Sequence, residues 1–374
     1  MILNRAIKMR IYPDDEQRHK IDVTLSHCRY IYNKMLERNN VIYKRRKEHL
    51  NYYAMQNLLP EMKKYLPWLK EADSQALKHA CRQLNTAFDR FFHKTGGYPK
   101  FHSKRGKQSY TTTSVSTICM ESHRIKLPCL GWIRTPETRI PDGSICYATV
   151  GHEADNRYYV SITYKKEVPD IIPVAPKPEN VLGLDYKSDG LYTDSNGHTE
   201  DIPHFYREAQ RKRTKLQRRL SKKQGSCKGE QKSVNFMKQL RKVNRQSTHI
   251  ANQRKNYLHK LSTEIANRYD AVCVEDLDMK AISNKGFGNG KATMDNGYGM
   301  FQAMLAYKLA ERGKQLIKVD KWYPSSQICH CCGHRQPMPL KIRVYQCPEC
   351  GMVFDRDWNA AINIKMEGLR LLSA

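Results

Sequence analysis

Cys329-His330-Cys331-Cys332-Gly333, then Cys347-Pro348-Glu349-Cys350-Gly351, then Asp355-Arg356-Asp357-Trp358-Asn359-Ala360-Ala361-Ile362-Asn363-Ile364: the fold of this 374-residue chain is decided in this closing stretch. Each Cys-x-x-Cys knuckle is followed by a glycine, the residue that turns the backbone at positive φ and lets its amides face the thiolates. Two such knuckles predict one tetrahedral four-sulfur site at Cys329, Cys332, Cys347 and Cys350, a donor set that suits zinc and would also take iron. His330 and Cys331 crowd the first knuckle, so Cys331 competes with Cys332 as a ligand, and the glycine after Cys332 favours the latter. A two-strand ribbon using a segment such as Lys341–Gln346 closes the loop between the knuckles. The acidic turn that follows places Asp357 at a helix N-terminus, held rigid by the ribbon and able to serve a second metal.

Charge bounds the partners. The chain carries 65 Lys and Arg against 37 Asp and Glu, a net charge of +28. That excess is beyond what solubility requires and points to a polyanion bound through phosphate neutralisation and counterion release. No stretch approaches the roughly eighteen apolar residues of a membrane span, and Met1-Ile2-Leu3 leads straight into charged sequence, so neither a membrane helix nor a secretory signal is expected. Of twelve cysteines, Cys28, Cys81, Cys119, Cys129, Cys146, Cys227 and Cys273 are scattered singly. Such scatter suits a reducing cytoplasm better than a disulfide scaffold.

The N-terminal half mixes short strands with long helices. Arg5–Pro13 alternates as a strand and stops at proline; Asp14–Lys47 then has helical period, with Ile21, Leu25, Cys28, Ile31, Tyr32, Met35 and Leu36 on one stripe. From Ser74 to Phe92, Leu77, Ala80, Cys81, Leu84, Ala87, Phe88 and Phe91 predict a buried helix face. The opposite face carries Lys78, His79 and Arg82, which are either solvated or in contact with a DNA groove or phosphate. A basic loop with Lys104 and Arg105 runs into Tyr110 and Thr111. Short strands then follow at Arg124–Leu127, Gly131–Arg134, Ser144–His152 and Arg157–Tyr164, predicting a small β-barrel or sheet. The proline-studded stretch Pro169–Pro178 reads as a linker and domain boundary.

Beyond it, Val181–Asp185 is a buried strand containing an aspartate, which is costly unless paired or metal-bound. Gly190–Gly197 adds a second strand and turn. Helices are predicted at Tyr206–Gln224 and Val234–His259, and between Arg207 and Lys260 there are eighteen basic side chains against two acidic ones. A helical hairpin laid along phosphates accounts for that bias, with Arg211, Arg218, Arg219, Arg254 and Lys255 as candidate contacts. Ala271–Leu277 is another buried strand, with Glu275 near its end. The run Gly286–Gly290 lacks the strand-turn-helix setting of a nucleotide fingerprint. A helix at Met300–Arg312 and a strand at Gln315–Val319 return the chain to the cysteines.

Asp185, Glu275 and Asp357 therefore stand out, although an aspartate before a helix is more often simply a cap. Their layout resembles an RNase H-like fold. Three convergent carboxylates resist joint ionisation in a partly desolvated site, and two magnesium ions would relieve the repulsion while supplying phosphodiester chemistry.

The order Leu182-Gly183-Leu184-Asp185, Val274-Glu275-Asp276-Leu277, Ser325-Ser326-Gln327, the two knuckles and Asp355-Arg356-Asp357-x-Asn359-Ala360-Ala361-x-Asn363-Ile364 resembles the TnpB (OrfB) family, compact transposon-encoded relatives of type V CRISPR effectors. Arg10–Pro13, Tyr98–Phe101 and the basic run Arg254–Ser262 extend the likeness along nearly the whole chain. The resemblance implies an α+β multidomain protein: a wedge strand at 1–13, a helical recognition domain at 14–95, a wedge β-barrel at 96–170 and a RuvC-like nuclease domain at 171–374 with a zinc ribbon at about 323–354. It implies an RNA-guided DNA endonuclease in which a non-coding guide RNA from the transposon end pairs with double-stranded target DNA beside a short flanking motif. One RuvC-type site then cuts both strands. Asp185, Glu275 and Asp357 take the catalytic, magnesium-binding places, and the four cysteines the zinc. The acid two residues before the Asn-Ala-Ala helix matches the family's third acid, so Asp357 is preferred to Asp355. Lys78, His79, Arg82, Tyr110 and Thr111 are candidate readers of the flanking motif. A monomer in the prokaryotic cytoplasm, associated with the nucleoid, is expected.

Tyr186-Lys187 departs from the small residue that many relatives carry after the first acid, which alters access beside the metals and leaves the ligand intact. Other readings are disfavoured. A cleavage-inactive RNA-guided repressor would lack one of the three acids. The transposase that joins single strands would carry a His-hydrophobe-His pair, which is absent from the sequence. A plain zinc-ribbon transcription factor has no need of buried strand carboxylates.

Overall fold

Residues Ile2–Ile11 form the first strand, β1, whose alternate side chains Ile7, Met9 and Ile11 are buried. In the computed structural model, residues 1–104, 108–223, 232–284, 290–339 and 341–373 are described. They form two units, Met1–Pro169 and Asp170–Ala374. Arg105 and most of the glycine-rich run lie outside the described residues.

In the first unit, Pro13 ends β1 and Asp14 caps helix α1 (Asp15–Arg46). The Gln17 backbone N–H donates to Asp14 Oδ1 at 2.8 Å and the Asp14 N–H to Gln17 Oε1 at 3.1 Å, a closed capping box. The predicted stripe from Ile21 to Leu36 is buried as a set. Two short helices, α2 (Tyr52–Asn57) and α3 (Leu59–Tyr65), were not legible in the sequence. Helix α4 (Ser74–Phe92) starts at its Asp73 cap and buries Leu77, Ala80, Cys81, Leu84 and Phe88. Phe91 departs from the expectation: it is exposed, and its ring meets Tyr98 edge-on at 5.2 Å.

Six further strands among the described residues complete this unit. β2 (Gln108–Thr112), β6 (Ser144–His152) and β7 (Tyr158–Glu167) join β1 in the order β1-β7-β6-β2. β3 (Cys119–Glu121), β4 (Arg124–Leu127) and β5 (Gly131–Arg134) form a second sheet. The two are joined at one bridge, where the Tyr12 N–H donates to the Arg134 carbonyl at 2.9 Å.

The second unit is built on a five-stranded sheet in the order β10-β9-β8-β11-β12, from β8 (Val181–Tyr186), β9 (Tyr192–Asp194), β10 (Thr199–Glu200), β11 (Ala271–Glu275) and β12 (Gln315–Val319). β8, β11 and β12 run parallel, and β9 lies antiparallel to both its neighbours. Two basic helices, α5 (Phe205–Ser221) and α6 (Val234–Arg268), connect β10 to β11; α6 continues nine residues past the predicted end at His259. α7 (Met279–Ile282), α8 (Gly290–Asn296) and α9 (Tyr298–Ala310) lead to β12. The short ribbon β13 (Val344–Gln346) and β14 (Val353–Asp355) precedes the last helix, α10 (Arg356–Ser373).

Strand alternation sorts this sheet's two faces. Leu182, Leu184, Val272 and Val274 pack with Leu258 and Ile265 of α6 and Phe301 and Leu305 of α9. Val181, Ala271 and Cys273 pack on the other face with Ile364 of α10. Helix and sheet meet there without room for side chains. A Cβ on Gly183 would stand 2.2 Å from the Ala361 carbonyl oxygen, and one on Gly368 would stand 2.0 Å from Cys273 Sγ. Gly183→Ala is therefore expected to destabilise the protein by about 1–3 kcal/mol, through forced displacement of packed backbone. Gly97→Ala, with open space around it, is the control. Urea unfolding distinguishes them, and equal midpoints would show that the helix yields freely.

Candidate metal and nucleic-acid site

The contact at Gly183 also aims the acids. Leu184 and Val274 are register partners on parallel β8 and β11, so the next residue on each strand is Asp185 and Glu275. By alternation, each acid shares a face with the residue two before it, Gly183 or Cys273, and so points to the α10 side of the sheet. Asp357 stands in the first turn of α10. The neighbouring acid has a different role. Asp355 Oδ1 accepts from the backbone N–H groups of Asp357 and Trp358 at 2.9 and 3.0 Å, so Asp355 is the helix cap and Asp357 is left over for other work.

Two of the carboxylates act on the third. Burial, then the negative charges of Glu275 and Asp357, pushes Asp185 well above the ordinary carboxylate range, with Arg356 pulling the other way. Burial also raises Glu275, opposed by the Ser325 hydroxyl, which donates to its Oε1 at 2.6 Å. Asp357 is half-buried and loosely paired with Arg343 at 3.5 Å. Among the described residues, the four cysteines are the sole group of His, Cys, Asp or Glu whose ligand atoms all fall within 4.8 Å of one another.

Cys329, Cys332, Cys347 and Cys350 form that four-sulfur cluster, with Sγ separations of 3.6 Å (Cys329–Cys350) and 3.5 Å (Cys332–Cys347). Gly333 and Gly351 turn at φ 77° and 70°, as the knuckles predict. Backbone N–H groups, first that of Cys350 and then that of Glu349, draw the Cys347 thiol down to about 6. The competition in the first knuckle is resolved geometrically: Cys331 is exposed, outside the cluster, with its Sγ 3.3 Å from His330 Nε2. His330 is itself tied to Asn359, whose Oδ1 lies 3.1 Å from its backbone N and 2.9 Å from its Nδ1.

Two asparagines one turn apart on α10 hold this assembly, and neither was singled out for it in the sequence. Asn359 Nδ2 donates to the Ile328 carbonyl at 2.7 Å; Asn363 Nδ2 donates to the carbonyls of Ser325 and Ile328 at 2.8 and 2.6 Å. The clamp thus fixes both the first knuckle and Ser325, the partner of Glu275. The readable signal was the i,i+4 spacing of two polar side chains on a face otherwise filled by Ala360, Ala361 and Ile364. On the same helix, Trp358 Nε1 donates to the Ser195 carbonyl at 3.2 Å, docking the turn after β9.

The candidate nucleic-acid contacts divide. Arg211, Arg218 and Arg219 are exposed and, with Arg207, Lys215 and Lys222, line a groove of about 760 Å³ along α5. Lys255 and Lys104 are exposed, and Lys78 is half-buried. His79 is half-buried, its pKa lowered by burial and then by Arg82, whose exposed guanidinium lies over the Tyr52 ring at 5.1 Å. Three expectations are corrected. Tyr110 and Thr111 are buried, the latter bonded to Thr149 Oγ1 at 2.8 Å, so neither offers its side chain to a partner. Arg254 is committed within the fold: its Nη2 lies 3.1 Å from Oδ1 of buried Asp295, which also accepts from the backbone N–H groups of Tyr206 and Arg207 at the start of α5. No described helix is long and apolar enough to cross a membrane.

Family models match at residues 1–48 (helix-turn-helix domain), 161–285 (probable transposase) and 298–364 (Cas12f1-like, TNB domain). The chain is 33% identical over 377 residues to a Streptomyces pristinaespiralis protein named "Putative RNA-guided DNA endonuclease", covering 98% of this chain and 90% of that one. It is 29% identical over 386 residues to the Escherichia coli K12 protein named "Putative RNA-guided DNA endonuclease InsQ", covering 99% and 93%. A Cas12f1 protein, solved by cryo-EM with sgRNA and target DNA, superposes with a TM-score of 0.61 at 14% identity over 97% of this chain and 99% of that one, a likeness of fold. Motifs, clusters and full-length similarity coincide, and the chain belongs to the TnpB (OrfB) family.

Proposed function

We propose that this protein is an RNA-guided DNA endonuclease that hydrolyses both strands of a target at one RuvC-type site. One observation carries the reading: Asp185 and Glu275 follow the register partners Leu184 and Val274 on adjacent parallel strands, and Asp357 stands in the first turn of α10, the helix packed against Gly183 on that face. Such a convergence of acids, in a partly desolvated place, fits a cation-binding set and serves no purpose in a plain nucleic-acid clamp. The strand order supports it as well. Counted in chain order from β8, the sheet reads 3-2-1-4-5 with the second strand antiparallel, the arrangement of an RNase H-like sheet. In the first unit, the two sheets bridged at Tyr12 and Arg134 are read as the wedge barrel.

Asp185, Glu275 and Asp357 would hold two magnesium ions, which when bound would neutralise the scissile phosphate and lower the pKa of an attacking water. The chain's own residues prepare that place. The Ser325 hydroxyl orients Glu275 and favours its ionised form, and Arg343 offsets the charge of Asp357. Along α5, Arg211, Arg218 and Arg219 neutralise phosphates and hold the guide or its duplex, whose bases carry the sequence information. The four cysteines, at mutual reach, fit a structural zinc that staples the ribbon before α10.

With co-expressed guide RNA and Mg²⁺, wild-type protein is expected to linearise a matched supercoiled plasmid. Asp185→Ala should lower that rate by about a thousandfold, roughly 4 kcal/mol of barrier, yet keep RNA-dependent DNA binding; undiminished cutting would refute the assignment. Metal analysis of the wild type should give one zinc per chain, and Cys347→Ser should abolish it and lower the melting temperature, because the metal contributes folding energy.

Acid sensitivity follows from the raised carboxylates. A proton and a magnesium ion compete for the same oxygens, so the half-saturating Mg²⁺ concentration should rise as pH falls. Removing the Ser325 hydroxyl takes away the donor that lowers the Glu275 pKa. Ser325→Ala is therefore expected to move the acidic limb of the pH–rate profile upward. A limb that stays in place would show that the hydroxyl does not tune Glu275.

A further inference from the structure

The first unit contains a recess that none of the candidate contacts uses. It lies over α1, has a volume of about 500 Å³, and is walled by aromatic rings, a size within the usual range of small-ligand sites. Trp68 meets Tyr30 edge-on at 5.0 Å and His27 at 4.6 Å, and Phe101, 59% exposed, stands at the lip. Burial lowers the His27 pKa, so that at neutral pH its ring is an uncharged surface.

The recess is built and positively edged. Asn33 spends both ends of its amide on one backbone position: Nδ2 donates to the His102 carbonyl at 2.9 Å, and Oδ1 accepts from the His102 N–H at 2.8 Å. That clasp pins the segment carrying Phe101 over the helix. Arg29 is held at the wall by Gln108 Oε1 at 2.8 Å, and Lys34 at the rim is paired with Glu37 at 2.8 Å. An aromatic recess with a fixed guanidinium, on a chain of net charge +28, matches a planar, uncharged ring attached to a phosphate backbone. Aromatic platforms of this kind take unpaired bases whatever their identity, because every base presents a π-face.

We propose that this recess binds one unpaired nucleobase of the guide RNA. The assignment rests on the RNA-guided reading above, in which the target strand is paired with the guide. Unpaired bases present before any DNA arrives are then those of the folded RNA, and proteins recognise such RNA chiefly by stacking splayed bases on aromatic side chains. Phe101 closes over the base and Trp68 backs it.

The test uses the full chain with its co-purified RNA sequenced and resynthesised with 4-thiouridine. Irradiation should crosslink an RNA position to a peptide containing Tyr30, Trp68 or Phe101. Phe101→Ala should weaken RNA affinity by about five- to a hundredfold, the value of one stacked base, with an unchanged melting temperature, and Phe101→Trp should restore it. An abasic ribose at the crosslinked position should weaken wild type by the same factor and add nothing to Phe101→Ala. Unchanged affinity of Phe101→Ala, or crosslinks confined to a target DNA strand, would overturn the proposal while RNA-dependent plasmid cutting left the broader reading standing. Failure of any RNA to co-purify would remove both.

Discussion

Helix α10 lies so close to β8 that the Ala361 carbonyl oxygen occupies the place where a side chain on Gly183 would be. The rest of the second unit's chemistry depends on that approach. It brings the first turn of α10, with Asp357, to the strand ends that carry Asp185 and Glu275. It is possible because small residues face each other on both elements: Gly183 against Ala361, and Gly368 against Cys273. Close packing of this kind is stiff, since displacement by a fraction of an ångström loses many contacts together. A helix held this way presents its N-terminal carboxylate at a defined position.

What the packing assembles, the electrostatics oppose. Three acids drawn toward one another in a half-buried place repel, and the negative charges of Glu275 and Asp357 add to burial in raising Asp185. The fold therefore has to be held by interactions other than these residues. Asn359 and Asn363 supply them, by bonding carbonyls of the Ser325–Ile328 segment to α10. The same segment delivers the Ser325 hydroxyl to Glu275 and leads into the first cysteine knuckle. Cysteine knuckle, asparagine clamp and the Ser325–Glu275 hydrogen bond are thus joined in one bonded network.

The basic hairpin is anchored to this structure by a different device. Buried Asp295 takes the guanidinium of Arg254 from α6 and two backbone N–H groups from the start of α5. Next to it, Asn296 Nδ2 donates to the Ser188 carbonyl at 2.8 Å, three residues beyond Asp185. An arginine so employed is unavailable to phosphate, whereas Arg211, Arg218 and Arg219 on the outer face of α5 remain exposed. A charge count along the hairpin cannot separate these two kinds of arginine.

Much of the architecture was legible because it is written in short spacings. Glycine after each knuckle, proline after β1, the stripe from Ile21 to Leu36 and the apolar run Val181–Leu184 each encode local geometry through φ preference or hydrophobic pattern, within a few residues. Tertiary structure alone decided which side chains those elements leave free. Tyr110 and Thr111 sit on a strand whose pattern is compatible with either face outward, and the packing of α1, α4 and the sheet turned them in. Cys332 was separated from Cys331 by the direction of one knuckle, and Arg254 from Lys255 by an aspartate forty-one positions away. Spacing specifies how the backbone turns; burial and partnership are set by residues remote in the chain, and no local pattern carries them.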